Sequence, residues 1–267
     1  MLTADQIAEV AARHERARQQ GRQIRRITLD YPDMDIGDAY ACQRAWVDQQ
    51  IADGASVGGH KIGLTSRAMQ SAMKIDEPDF GTLLDYMFFD NGAVLDASQF
   101  CDIRLEVELA FVLSAPLSGA DVTREDVLAA TERVIPSIEL IDARSHRVDP
   151  DDGVSRTVFD TISDNAANAG IITGGNPINP LVTDLRWVSA ILKRNGVVEE
   201  TGVAAGVLDD PVMGIVWLAQ RFAQFGQGLE AGQTILAGSF TRPVICRPGD
   251  DFEIDFGPHG IITCSFT

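Results

Sequence analysis

The sequence predicts an α+β protein in which the sheet-forming part is much the larger. Three observations carry this. Two amphipathic helical stretches lie in the N-terminal region; after Gly58 the chain changes to short, β-branched apolar runs bounded by glycine and turn residues; and strands and helices do not alternate as a parallel βαβ sheet requires. At 267 residues, with 45% hydrophobic and 23% charged residues, the chain can bury one substantial core and has an ordinary globular composition. The expected division is an N-terminal helical segment over 1–57 and a β-rich domain over 58–267.

Thr3-Ala-Asp-Gln6 has capping-box spacing, so a first helix is expected over about 3–20, with Ile7, Val10, Ala11 and His14 on one stripe. After the turn-like Asp30-Tyr-Pro-Asp, a second helix over 36–53 places Ile36, Tyr40, Val47 and Ile51 at helical spacing, and Gly54 stops it. Ile103–Leu113 alternates apolar and polar residues and reads as a strand. A Thr-x-x-Asp cap opens a helix over Thr123–Arg133, and Val134–Ile141 is an apolar strand-like run. Asn195-Gly196 joins 186–194 to 197–201 as a hairpin, because a type I′ turn needs positive φ at both central residues. Asp210-Pro211 caps a helix through Ile215, Leu218, Ala219 and Phe222, stopped by Gly226. The remaining strands lie around Ile245, 252–256 and 261–266, separated by Pro248-Gly249 and Pro258-His-Gly260.

A net charge of −17 opposes binding to nucleic acid or an anionic membrane surface. A small anionic substrate remains compatible if a metal ion or Lys and Arg side chains supply local positive charge. No apolar run is long enough to cross a bilayer, the N-terminus lacks a signal peptide's pattern, and Cys42, Cys101, Cys246 and Cys264 are scattered, so a cytoplasmic protein with buried thiols is expected. The four histidines have no zinc-site spacing. Gly170, Gly174 and Gly175 form no phosphate-binding fingerprint, and Ser66, Ser163 and Ser239 lie in no nucleophile elbow.

Within Ile103–Leu113 the odd positions are apolar, while Glu106 and Glu108 share the other face with Cβ atoms about 6–7 Å apart, close enough to hold one cation. Glu139 lies in the apolar Val134–Ile141 run, where an uncompensated charge is costly. These residues alone allow two readings. One is a three-carboxylate site for a hard divalent cation; in the other the alternate glutamates form a wet strand face and Glu139 pairs with Arg144 or Arg104.

Several tracts occur in order: Gly59-His-Lys-Ile-Gly-Leu-Thr65, Glu77-Pro-Asp-Phe-Gly81, Asp85-Tyr-Met-Phe-Phe89, Glu106-Val-Glu108, Glu139-Leu-Ile-Asp-Ala143, Phe159-Asp-Thr-Ile-Ser-Asp-Asn165 and Gly238-Ser-Phe-Thr241. Together they resemble the hydratase and decarboxylase branch of the fumarylacetoacetate hydrolase superfamily over nearly the whole chain. The resemblance implies a β-rich mixed-sheet fold with an N-terminal helical segment, Mg²⁺ or Mn²⁺ held by Glu106, Glu108 and Glu139, and a homo-oligomer built from dimers. It implies metal-dependent addition of water to a 2-oxo-4-enoate or its 2-hydroxy-2,4-dienoate tautomer in aromatic catabolism, with a seven-carbon dicarboxylic 2-oxo acid as the substrate most directly suggested. Decarboxylation of a 4-oxalocrotonate-type 2-oxo acid, hydration of the shorter 2-hydroxypenta-2,4-dienoate, and a non-catalytic metal-binding subunit are the alternatives.

On this reading Lys61 is the carboxylate anchor or proton relay, with a pKa that partial desolvation lowers toward neutrality, and Asp79 is the acid/base. Thr65 and Ser239 are expected to hydrogen-bond the substrate carboxylate, and Asp164 with Asn165 to position Lys61 or water. Arg67, Arg144 and Arg242 could each provide the charge for a distal substrate carboxylate, or simply sit in solvent.

Overall fold

The computed structural model describes residues 1–267, apart from the side chains of Ala68 and Ala72. Helix α1 (Ala4–Gln20) starts at the expected box: Gln6 N–H donates to Thr3 Oγ1 and Thr3 N–H to Gln6 Oε1. It buries Val10, Ala11 and His14 against α2 (Ile36–Ala52). In α2 the buried stripe differs from the hydrophobic pattern. Ile51 is 42% exposed, whereas Gln43 and Gln50 are buried because Gln43 Nε2 donates to Phe80 O and Ile162 O, and Gln50 Nε2 to Glu15 Oε2. A buried amide with satisfied donors can take a place that periodicity assigns to an aliphatic side chain.

The chain continues through β1 (Val57–Gly63), α3 (Arg67–Met73), β2 (Asp79–Leu84), β3 (Phe88–Phe89), β4 (Ala93–Leu95), β5 (Ile103–Leu113), α4 (Arg124–Ala130) and β6 (Thr131–Asp142). It then forms α5 (Val158–Ser163), β7 (Asn168–Thr173), β8 (Ser189–Arg194), β9 (Val197–Val203), α6 (Val212–Ala223), β10 (Thr234–Leu236), β11 (Val244–Ile245), β12 (Asp251–Asp255) and β13 (Ile261–Phe266). Helix α4 is shorter than its sequence pattern: Thr131 to Arg133 open β6, and Arg133 pairs with Val112. Pairing along β5 overrides a local helix signal there. The Asn195-Gly196 turn forms as expected, with φ of 53° and 78° joining β8 to β9.

Two sheets result, one of eight strands in the order β2-β1-β10-β5-β6-β7-β3 with β11 also on β5, the other of five in the order β4-β13-β12-β8-β9. The odd face of β5 (Ile103, Leu105, Val107, Leu109, Phe111 and Leu113) is at most 5% exposed and joins the main core with α6 and the inner side chains of β12 and β13. Each such side chain contributes about 2 kcal/mol through burial.

The opposite face of the large sheet is curled into a shallow bowl. Asn165 Oδ1 accepts from Thr82 N–H, while Asn165 Nδ2 and Asn168 Nδ2 both donate to Thr82 O, tying edge strand β2 to the start of β7. Leu83, Ala110, Ile171 and Leu236 converge from four strands as its apolar floor. No helix among the described residues is long and apolar enough to cross a membrane.

Candidate metal centre

Strand register fixes which side chains look into the bowl. Glu106 pairs with Glu139 and Glu108 with Ser137 across β5 and β6, so the carboxylates of Glu106, Glu108 and Glu139 gather on one face. Their ligand atoms lie within 4.8 Å of one another. On β1, His60 and Ile62 turn the other way toward α6, where His60 packs edge-on against Phe222 at 4.8 Å, while Lys61 points into the bowl. Lys61 Nζ lies 3.6 Å from Glu139 Oε1.

Asp79 enters from β2, opposite Gly63. A Cβ built on Gly63 would stand 2.2 Å from Asp79 Oδ1 and 2.9 Å from Lys61 Nζ, so the missing side chain is what lets the acid and the ammonium approach to within about 5 Å of each other. The β5 edge is served by β10 at Ala110 to Val112 and by β11 at Arg104 and Leu105, with a gap between. The connecting segment crosses that gap, and Gly238 N–H donates to Glu108 Oε2 at 2.8 Å.

The cluster is electrostatically incomplete. Burial, then the field of Glu139, raises the Glu106 carboxyl to about 8. Glu108 is pushed well above the usual carboxylate range by burial and by both other glutamates, and Glu139 is raised by burial despite Lys61. Glu108 Oε1, both Glu139 oxygens and Asp79 Oδ1 are sealed from solvent with no hydrogen-bond partner among the described residues. Orphaned buried oxygens of like charge are the expected condition of a hard-cation site considered without its ion, so these residues fit a divalent metal.

Lys61 corrects its sequence expectation. Burial lowers its pKa, but Glu139, Asp79, Glu106 and Glu108 outweigh that and raise it in the metal-free chain. Asp79 moves upward, by burial, despite Lys61 and Arg156.

The remaining residues are placed differently. Thr65 is buried against Gly238, within reach of the segment that donates to Glu108. Ser239 Oγ lies 3.0 Å from Thr241 O and 3.2 Å from Val107 O, and accepts from Thr241 N–H, so the fold already occupies it. Asp164 accepts from Arg144 N–H at 2.8 Å and Arg144 Nε at 2.5 Å, and lies 3.3 Å from His14 Nδ1. The structure therefore assigns its oxygens to Arg144, and brings Asn165 to Thr82 instead of Lys61. Sequence reasoning missed the Gly238 N–H and Gly63: neither leaves a signal in hydrophobic pattern, since each matters only through what it approaches.

No family model matches this chain. It is 57% identical over 257 residues to the 2-oxo-hept-4-ene-1,7-dioate hydratase of Escherichia coli, covering 96% of each sequence. It superposes with a TM-score of 0.94, at 32% identity, on 4-oxalocrotonate decarboxylase from Pseudomonas putida G7 complexed with magnesium and adipate, covering 100% of this chain and 99% of that one. A TM-score of 0.58 at 12% identity relates it in fold to the fumarylpyruvate hydrolase of Pseudomonas aeruginosa in complex with Mn²⁺ and pyruvate, over 78% of this chain and 88% of that one. Fold and site together define an enzyme of the fumarylacetoacetate-hydrolase-like class. The chain belongs to the hydratase and decarboxylase branch of that superfamily.

Proposed function

We propose that this chain is a hydro-lyase that adds water to 2-oxohept-4-ene-1,7-dioate, giving 4-hydroxy-2-oxoheptane-1,7-dioate, in the breakdown of homoprotocatechuate. The observation that carries the reading is the trio Glu106, Glu108 and Glu139, with ligand atoms within 4.8 Å beside Lys61 and Asp79, in a chain 57% identical to a hydratase of that substrate. Glu106, Glu108 and Glu139 would hold Mg²⁺, or Mn²⁺ in its place, which when bound supplies Lewis-acid polarisation of a 2-oxo acid's carbonyl and carboxylate oxygens.

The chain's own residues then have defined tasks. Lys61, held charged by its acidic neighbours, stabilises negative charge on the substrate's carboxylate end as the double bond migrates. Asp79, whose burial raises its pKa, holds a proton at an oxygen that no protein group occupies and delivers it to C5 while C3 loses one, forming the conjugated enone. Water then adds its hydroxyl to C4 and a proton to C3, so the product gains one water. The apolar floor of Leu83, Ala110, Ile171 and Leu236 keeps bulk water from the bottom of the bowl.

The same electron demand serves loss of CO₂ from an oxalocrotonate, and the 0.94 TM-score to a decarboxylase supports that second reading. We further assign residues 1–57 as a bracing helical segment on a catalytic domain of 58–267, and the assembly as a homo-oligomer built from dimers; exposed Leu181, Val182 and Trp187 support such contacts. Four unpaired cysteines suit the reducing cytoplasm.

The test follows dienol ultraviolet absorbance with Mg²⁺, on 2-hydroxyhepta-2,4-dienedioate generated in the cuvette, with mass spectrometry of the product. A mass gain of one water, abolished by chelator and by Glu106→Gln, is expected; loss of CO₂ moves the chain to the decarboxylase reading.

A further inference from the structure

A dicarboxylic substrate has a second charge, and the proposed metal site accounts for only one end of it. The arginines the sequence offered do not supply the other. Arg144 is 2% exposed and committed to Asp164, Arg242 has a side chain 85% exposed and paired with Glu200, and Arg67 is exposed on α3.

A different group sits at the end of the carboxylate row. Arg104 shares the even face of β5 with Glu106 and Glu108, two residues before Glu106 and therefore about 7 Å away along the strand. Asp102 Oδ2 accepts from Arg104 Nη2 at 3.2 Å and from Arg147 Nε at 2.9 Å, so one carboxylate oxygen serves two guanidinium groups. Arg147 Nη2 is sealed from solvent with no hydrogen-bond partner among the described residues. Arg156 is half-buried beside them, its backbone N–H donating to Arg147 O at 3.0 Å; its side chain makes one hydrogen bond, from Nη1 to Ser145 O at 3.3 Å, and no ion pair among the described residues. Asp164, Asp160 and Asp102, the carboxylates that act most on Arg156, are each already hydrogen-bonded elsewhere. Arg104 continues the face of β5 that carries Glu106 and Glu108, and Asp102 ties Arg147 to Arg104, so the group stands at the end of the same carboxylate row.

In a chain of net charge −17, Arg104 and Arg147 share the single carboxylate of Asp102, the Arg156 side chain has no ion pair among the described residues, and Arg147 Nη2 has no acceptor among them. Such a group is stable when an anion completes it, and a carboxylate is the anion that guanidinium forks fit best. We infer that Arg147 and Arg156, with Arg104 behind them, bind the distal carboxylate of the substrate and set the preference for a dicarboxylic over a monocarboxylic 2-oxo acid. This inference rests on the hydratase reading above and specifies its substrate class.

The test is calorimetric titration of the Mg²⁺-loaded full-length protein with two unreactive saturated analogues, 2-oxoheptanedioate and 2-oxoheptanoate, which differ only in the distal carboxylate. The unsubstituted protein is expected to bind the diacid about tenfold or more tightly than the monoacid. Arg156→Gln, which breaks no ion pair, is expected to remove most of that preference while leaving the monoacid affinity within about twofold. Arg147→Gln should act likewise if it folds, as checked by circular dichroism, and Arg156→Lys should retain part of the preference. Equal binding of both analogues, or a preference untouched by Arg156→Gln, overturns the arginine assignment and leaves the hydratase reading standing. Binding of neither analogue to the Mg²⁺-loaded protein overturns both together.

Discussion

Two buried polar clusters lie close together in this molecule, and they are built on opposite principles. In the first, Arg144 donates from its backbone and Nε to Asp164, from Nη2 to Asp164 O and from Nη1 to Asn168 O, while His14 bridges Asp164 and Ser163 at 3.3 and 3.2 Å. Every Arg144 donor there has an acceptor and opposite charges balance, with only His14 Nδ1 and Asn168 Oδ1 left without a hydrogen-bond partner among the described residues. In the second, three glutamates and Asp79 face a single lysine, and four of their oxygens have no partner. Burial is as deep in both, so depth alone does not distinguish a structural polar group from a functional one. What distinguishes them is satisfaction: a closed network holds α1, α5 and β7 in place, whereas an open one of like charge awaits a ligand.

The comparison breaks most sharply at Glu139. Glu139→Gln is expected to reduce turnover on the order of a thousandfold and to weaken Mg²⁺ binding measured by calorimetry. It is also expected to lower the melting temperature of metal-free protein, because it leaves the buried Lys61 ammonium without its nearest carboxylate. An unchanged or higher metal-free melting temperature would mean that the Glu139 charge is a net burden on the fold.

The closed cluster should respond in the reverse sense. Asp164→Asn leaves the Arg144 guanidinium without its charge partner and is expected to cost about 3–5 kcal/mol in denaturant unfolding, while Mg²⁺ affinity of the folded fraction stays within error of the parent. Loss of Mg²⁺ binding in protein that remains folded would show that the two clusters act as one.

A smaller difference appears in pH dependence. Burial, partly opposed by Asp164, lowers His14 to about 4, from an ordinary value of 6.5. The unfolded chain therefore takes up a proton that the folded one refuses. The stability this residue contributes is complete above about pH 6.5 and is lost as the pH falls toward 4, by up to about 3 kcal/mol. His14→Gln should flatten that acid limb of a stability-against-pH curve. The raised Glu106 works with the opposite sign in metal-free protein, losing stability as the pH rises from about 4.5 toward 8. An acid limb unchanged by His14→Gln would show that the histidine is not held neutral.

Much of this was legible one strand at a time. The period-two pattern of Ile103–Leu113 put Glu106 and Glu108 on one face, capping residues marked α1 and α2, and Asn195-Gly196 marked a hairpin, because each is a local rule of backbone geometry. Glu139 was conspicuous as a charge in an apolar run, but its register opposite Glu106 needed the pairing of β5 with β6. Lys61 could be singled out by its tract, yet the direction of its pKa could not, since desolvation and surrounding carboxylates pull oppositely and only coordinates say which wins.

The sequence by itself determined the α+β class, the helical N-terminus and the shared face of Glu106 and Glu108, since periodicity and residue chemistry are properties of short segments. Only the tertiary structure decided that Asp164 belongs to Arg144, that Ser239 is occupied by its own turn, that Gly63 makes room for Asp79 beside Lys61, and that Arg147 and Arg156 stand with Arg104 near the glutamates. Those are contacts between residues far apart in the chain. Electrostatic energy depends on distance in space, which no spacing along the chain records.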